Sequence, residues 1–166
     1  MEPLKKEKIS YAEAFAEFRK HANLNKVYEG TYAEVEKGYL DHVQHAISIG
    51  SGPGINDLTF LKKLTPNLTD FTAVEINKSC LDELSDNLKK FLPRNVNVKI
   101  HFGAAQHWKG PEPGESKADL VLMFHALYYF NKDERNVRRI ILLSSYLLFM
   151  EINVVHDIYE KVIFSK

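Results

Sequence analysis

A chain of 166 residues with 22 basic and 22 acidic side chains carries no formal net charge at neutral pH, and 45% of it is hydrophobic. That is the composition of a folded domain long enough for one core. The balanced charge, with no long basic block, argues against nucleic acid as a main partner. The single cysteine, Cys80, excludes an internal disulfide framework and fits a reducing compartment.

The opening "MEPLKKEKIS" is charged and lacks the apolar core of a secretory signal. The most apolar run, Ile140 to Met150, is shorter than the roughly 20 residues that a membrane span needs. The expectation is a cytoplasmic protein without a membrane partner, and a monomer. A helix should begin at Ser10, where Ser10 and Glu13 make a capping-box pattern. Tyr11, Phe15, Phe18 and Ala22 then fall on one helical face. A second helical segment is expected from Tyr32 to Val43.

Ala46 to Gly50 reads as a buried strand, followed by a helix over Asn56 to Leu64 that Pro66 stops. Phe71 to Glu75 reads as a second buried strand. A helix with Leu81, Leu84, Leu88 and Phe91 on one face comes next, closed by Pro93. The alternation of Val96, Val98, Ile100 and Phe102 predicts a third strand. The continuous apolar run in "ADLVLMF" predicts a fourth, covered on both faces. Asp133 should open a further helix through Val137 and Ile140. Strands alternating with helices in this rhythm predict an α/β fold: a Rossmann-like sandwich with a parallel sheet. One domain is expected, divided into a helical cap over 1–44, a cofactor-binding core over 45–141 and a divergent tail over 142–166.

The chemistry is concentrated in "ISIGSGPGINDL". Gly50, Gly52 and Gly54, with Ser51 between the first two, stand where the first strand turns into its helix. Ligands of parallel α/β sheets sit at that turn, and glycine lets the main chain approach one closely. A plain tight turn would use the same residues. A pyrophosphate reader wants G-x-G-x-x-G, but Ile55 occupies the third-glycine position, so a nicotinamide-dependent oxidoreductase is disfavoured. Glu75 ends the second strand, where a carboxylate can accept hydrogen bonds from two adjacent ribose hydroxyls. The pair points to S-adenosylmethionine.

"ISIGSGPGINDL", "AVEINKS" and "LVLMFHALYYF" resemble the first, second and fourth-strand motifs of class I methyltransferases. Together with the aromatic helix "YAEAFAEFRKH", they resemble the histamine N-methyltransferase family over about Tyr11 to Ile141. The resemblance implies that Gly50 and Glu75 hold the methionine and ribose ends of the cofactor. It also implies that Cys80 stands at a cofactor contact that is polar in the family, His107 beside the adenine and Phe124 near the cofactor.

Methyl transfer to an amine needs chiefly proximity, alignment and a neutral nucleophile. His125 is the candidate base, because imidazole accepts protons near neutrality. Tyr128 and Tyr129 are candidates to line an amine pocket by attracting a developing cation. A satisfied core histidine and ordinary aromatic core residues are the plainer readings of the same side chains. His42 and His45, three apart and without a partner pair, make no metal motif. Trp108, next to His107, is given no role beyond packing.

Three departures from the family bear on the substrate. Leu24 falls near the place of a substrate-gripping acid, and His125 replaces a glutamine. The tail after "NVRRII" does not resemble the family's last strands or its substrate-binding asparagine. The expectation is a sheet of four or perhaps five strands, in a C-terminally truncated form. An uncovered fourth strand would invite association unless tail residues such as Ile152 to Val155 supplied a replacement. The reading is therefore an N-methyltransferase for a small amine. Its alternative is a non-catalytic chain that binds cofactor or pairs with another subunit.

Overall fold

The computed structural model describes residues 37–111, 117–124 and 126, the backbone of 144–150, and Glu17, Tyr28, Gly30, Tyr32, Ala33 and Val35. It divides the chain into two units, Met1–Val35 and Glu36–Lys166. In the first, Glu17, Tyr28, Gly30, Tyr32 and Ala33 are helical. The rings of Tyr28 and Tyr32, one helical turn apart, stack at 6.1 Å. The helix expected over Tyr32 to Val43 is not continuous, because Lys37 to His42 form turns. Gly38, with φ at 85°, adopts a left-handed conformation incompatible with helix.

Among its described residues the second unit carries five strands and two α-helices in the order β1 (His45–Ile49), α1 (Ile55–Leu64), β2 (Asp70–Glu75), α2 (Leu81–Phe91), β3 (Asn97–Phe102), β4 (Ala118–Phe124) and β5 (Ser144–Met150). All pairings are parallel, in the order β3-β2-β1-β4-β5. Strand order thus reverses between β1 and β4, which leaves a crevice at their carboxyl ends. Asp119 of β4 pins the entrance of β1 by accepting the backbone N–H groups of Gln44 and His45 at 2.9 Å each.

The two faces of the sheet follow from residue parity. Ile47 and Ile49 of β1, Val74 of β2, and Val121 and Met123 of β4 share one buried cluster, against which Ala105 and Trp108 lie. Trp108, partly buried, packs against the core from outside the cluster. The alternate residues face α1 and α2: Phe60 of α1 meets Phe124 edge-on, with ring centroids 5.8 Å apart. Leu58 of α1 and Leu84 of α2 are fully buried as well, each contributing about 1.5–3 kcal/mol by leaving water.

Both helices carry the end signals that the sequence suggests. Thr65 closes α1 by donating its hydroxyl to the Leu61 carbonyl at 2.8 Å, and Lys62 and Lys63 sit in the last turn, favourable for the helix dipole. A short 3₁₀ turn over Lys78–Cys80 leads into α2, which has Asp82 and Glu83 in its first turn and Lys89 and Lys90 in its last.

The edges of the described sheet bear on two expectations. Tail residues do cover β4: Ser144–Met150, within the apolar run, pairs with it as a fifth strand, while Ile152 to Val155 lie outside the described residues. The alternation that predicts a third strand falls on β3, as expected. Val98, Ile100 and Phe102 are 38%, 41% and 55% exposed, because β3 is the edge of the described sheet. The expected helix from Asp133 to Ile140 lies outside the described residues.

The turn between β1 and α1 ties this architecture together. Gly54 has φ at 77°, and a Cβ there would lie 2.7 Å from Leu84 Cδ1 and 3.2 Å from Leu58 Cδ1. Only glycine gives both the backbone angle and the close approach of α2. Gly54→Ala should therefore destabilise the chain by about 1–3 kcal/mol through strain and overpacking. Chemical denaturation should show the midpoint falling with an unchanged slope.

Candidate functional site

The carboxyl ends of β1 and β2 are joined by hydrogen bonds that shape the glycine turn. Gly50 donates its N–H to the Val74 carbonyl at 2.8 Å, extending the β1–β2 ladder by one step. Gly54 donates to the Ser51 carbonyl at 2.8 Å, and Leu58 donates to the Gly54 carbonyl at 2.9 Å, so the turn runs straight into α1. Gly50 has φ at 67°, and a Cβ there would lie 2.7 Å from the Ala126 Cβ. Gly52 is different: its φ is 54°, but a Cβ there would meet nothing within 4 Å. The turn is closed behind Gly50 and Gly54 and open at Gly52.

Glu75 is the polar centre of this end of the sheet. Its side chain is buried, with only 5% of the residue exposed. Oε2 accepts the Gly52 N–H and Oε1 accepts the Asn77 N–H, both at 2.6 Å. Short bonds of this kind, to a carboxylate, are the strong class of hydrogen bond. An ionised carboxylate has about four acceptor sites, so two remain beyond the backbone bonds. Beside it Ile76 is 65% exposed, an apolar surface next to a charged anchor.

Beneath the turn lies a second buried carboxyl group. Asp57, in the first turn of α1, is 3% exposed and accepts the Ser48 hydroxyl at 2.8 Å. Ser48, fully buried in β1, also accepts the Ser51 hydroxyl at its carbonyl at 3.2 Å. Burial pushes the Asp57 carboxyl up to about 7; the Ser48 bond and its own backbone N–H oppose that rise, and the Glu75 charge adds to it.

The remaining cofactor candidates are distributed around this end. Ser51 is buried with its hydroxyl turned back onto β1. Cys80 is buried, 4% exposed, and donates its backbone N–H to the Asn77 carbonyl at 3.1 Å. Burial first, then the charges of Glu75 and Glu83, push its thiol up, so Cys80 is a neutral inward-facing side chain. His107 is exposed in the turn that follows β3. Phe124 is buried at the end of β4 against Phe60. His125, Tyr128 and Tyr129 lie outside the described residues.

The structure thus brings Gly50, Ser51, Gly52 and Gly54 together in one turn, with Glu75 at the end of β2 bonded to it through the Gly52 N–H. Asn77, Ile76, Ser48 and Asp57 belong to the same end but were not singled out from sequence. "AVEINKS" contains the Asn77 signal, an Asx-type turn in which its side chain accepts the Ser79 N–H at 3.1 Å. Nothing in local pattern announces the Ser48–Asp57 bond, which joins two elements across nine positions.

No family model and no curated protein sequence matches the chain. Solved structures do resemble it. The S-adenosylmethionine-dependent methyltransferase SibL, in its apo form, superposes with a TM-score of 0.63 at 15% identity, over 87% of this chain and 40% of that one. The mitomycin 7-O-methyltransferase MmcR gives 0.58 at 21% identity, over 82% and 38%. Magnesium protoporphyrin IX methyltransferase from Synechocystis PCC 6803, with S-adenosylmethionine bound, gives 0.55 at 11% identity, over 94% and 70%. The chain spans about two fifths of the length of SibL and MmcR. The chain has the Rossmann-like α/β fold that these methyltransferases share.

Proposed function

We propose that this chain binds S-adenosylmethionine at the glycine turn and transfers the methyl group to a small amine. The observation that carries the cofactor assignment is the Glu75 carboxylate, held by the Gly52 and Asn77 N–H groups at the carboxyl end of β2. That carboxylate keeps acceptor capacity for a vicinal diol, and the turn beside it leaves open space where a Cβ of Gly52 would stand. The missing third glycine, replaced by Ile55 at the start of α1, disfavours a pyrophosphate ligand and favours a nucleoside without one.

The cofactor supplies the chemistry, a methyl group activated by a sulfonium. In this reading Gly50 and Gly52 present their backbone to its amino-acid end, and Glu75 orients the ribose. Ile76 offers the exposed apolar surface beside that ribose anchor for a base. His107 and Phe124 would flank the nucleoside, and buried Cys80 would contribute shape rather than charge. The protein's part in the transfer is to hold the two reactants in line and exclude water, which accounts for much of the acceleration of a bimolecular step.

The amine half of the proposal rests on the sequence motif "HALYYF". His125 would take the proton that leaves the amine, and Tyr128 and Tyr129 would surround the nitrogen as it becomes cationic. The compartment consistent with one buried, free cysteine is a reducing one. No helix among the described residues is long and apolar enough to cross a membrane.

Calorimetric titration with S-adenosylhomocysteine tests the cofactor site. Saturable binding is expected, weakened about tenfold or more by Glu75→Ala, as expected for lost hydrogen bonds to a charged group. A folded sample that does not bind would remove the proposal. Binding without methyl transfer to any amine would favour the non-catalytic alternative. For the base, His125→Ala should lower turnover by roughly 10²-fold or more and remove the acidic limb of the pH–rate profile. An unchanged profile would take His125 out of the reaction.

A further inference from the structure

Asp57 has no part in the proposed contacts, yet it is a buried ionisable group directly beneath them. It reaches from α1 to β1 through the Ser48 hydroxyl at 2.8 Å. Ser48 in turn receives the Ser51 hydroxyl on its carbonyl, so the side chain braces the strand end from which the glycine turn departs. A buried carboxyl group with a single side-chain partner is costly to ionise. A plain structural brace would be served as well by asparagine, whose oxygen accepts the same bond.

Resting on the cofactor reading above, we propose that Asp57 is a specificity-determining residue that favours the positively charged sulfonium cofactor over its neutral thioether by-product. Its charge lies below the turn that holds the amino-acid end of the ligand, in surroundings too dry to screen it fully. The two ligands share every hydrogen-bonding group and differ in one positive charge and one methyl. A buried negative charge is therefore a direct way to tell them apart and to ease product departure.

The ionisable neighbours fix the sign. Burial, and to a lesser degree the charge of Glu75 from β2, push the Asp57 carboxyl group up to about 7 against the lowering bonds from Ser48 of β1 and its own backbone N–H. Cys80, raised by burial and by Glu75 and Glu83, stays neutral below its ordinary range and adds no charge. A bound cation favours the ionised carboxyl group, so by linkage the cation binds more tightly above the Asp57 titration than below it. The neutral ligand gains much less.

The test is calorimetry with S-adenosylmethionine and S-adenosylhomocysteine from pH 5.5 to pH 8, on the wild-type chain, Asp57→Asn and Ser48→Ala. In the wild type the ratio of the by-product's Kd to the cofactor's Kd should rise roughly threefold or more with pH, the scale of one partly screened charge pair. Asp57→Asn should give a ratio that does not change with pH. Ser48→Ala keeps the carboxyl group but removes the bond that favours its ionised form, and should move the rise to higher pH. That shift is one a purely structural role would not produce, and it serves if Asp57→Asn fails to fold. A flat wild-type ratio, or the same rise in Asp57→Asn, would overturn the inference while leaving the cofactor site intact. Absence of binding for both ligands would overturn the cofactor reading and this inference with it.

Discussion

The Glu75 carboxylate is the point on which this end of the molecule depends. Two strands end side by side, and the chain leaving each must change direction at once. Glu75 closes both departures by accepting the N–H of Gly52 from the turn after β1 and that of Asn77 from the turn after β2. A buried carboxylate is tolerable only when such donors compensate for lost hydration. The donors are backbone groups, so the turn conformation and the charge sustain each other. The same arrangement concentrates acceptor capacity at the mouth of the crevice where strand order reverses, the usual ligand position in this architecture.

Around that centre the glycines have distinct tasks. Gly54 lets α2 come within contact of the turn, and Gly50 lets Ala126 approach from beyond β4. Both are demanded by close contact as much as by function. Gly52 faces open space and is therefore the glycine whose absent side chain matters most to a ligand. Sequence spacing alone cannot separate these roles, because all three residues share a positive φ.

Much of the architecture was legible in the chain for a physical reason: β1, β2 and β4 are buried on both faces and so read as short apolar runs. The strand-to-helix rhythm and the helix ends at Pro66 and Pro93 followed from local signals. Other features were not local. The alternation in β3 looks the same whether the strand is central or at an edge, and only the sheet order decides that Val98, Ile100 and Phe102 are exposed. Ser144–Met150 lies within a run whose apolar residues fit strand or helix equally, so periodicity did not identify the partner of β4. In the site, Glu75 was legible as an acid at a strand end, whereas Asp57 looks like an ordinary first-turn acid until Ser48 is seen to bond it.

The most direct test of the account is a thermodynamic cycle on the ribose contact. S-adenosylhomocysteine and its 2′-deoxy analogue would be titrated into the wild-type chain and into Glu75→Ala, and the coupling between hydroxyl and carboxylate taken from the four affinities. If Glu75 accepts the ribose hydroxyls, removing one should weaken binding to the wild type by about tenfold, as for a hydrogen bond to a charged group. The same removal should cost almost nothing in Glu75→Ala. An equal loss in both chains would mean that the hydroxyl is bound elsewhere, and would contradict the assignment of this turn as the cofactor site.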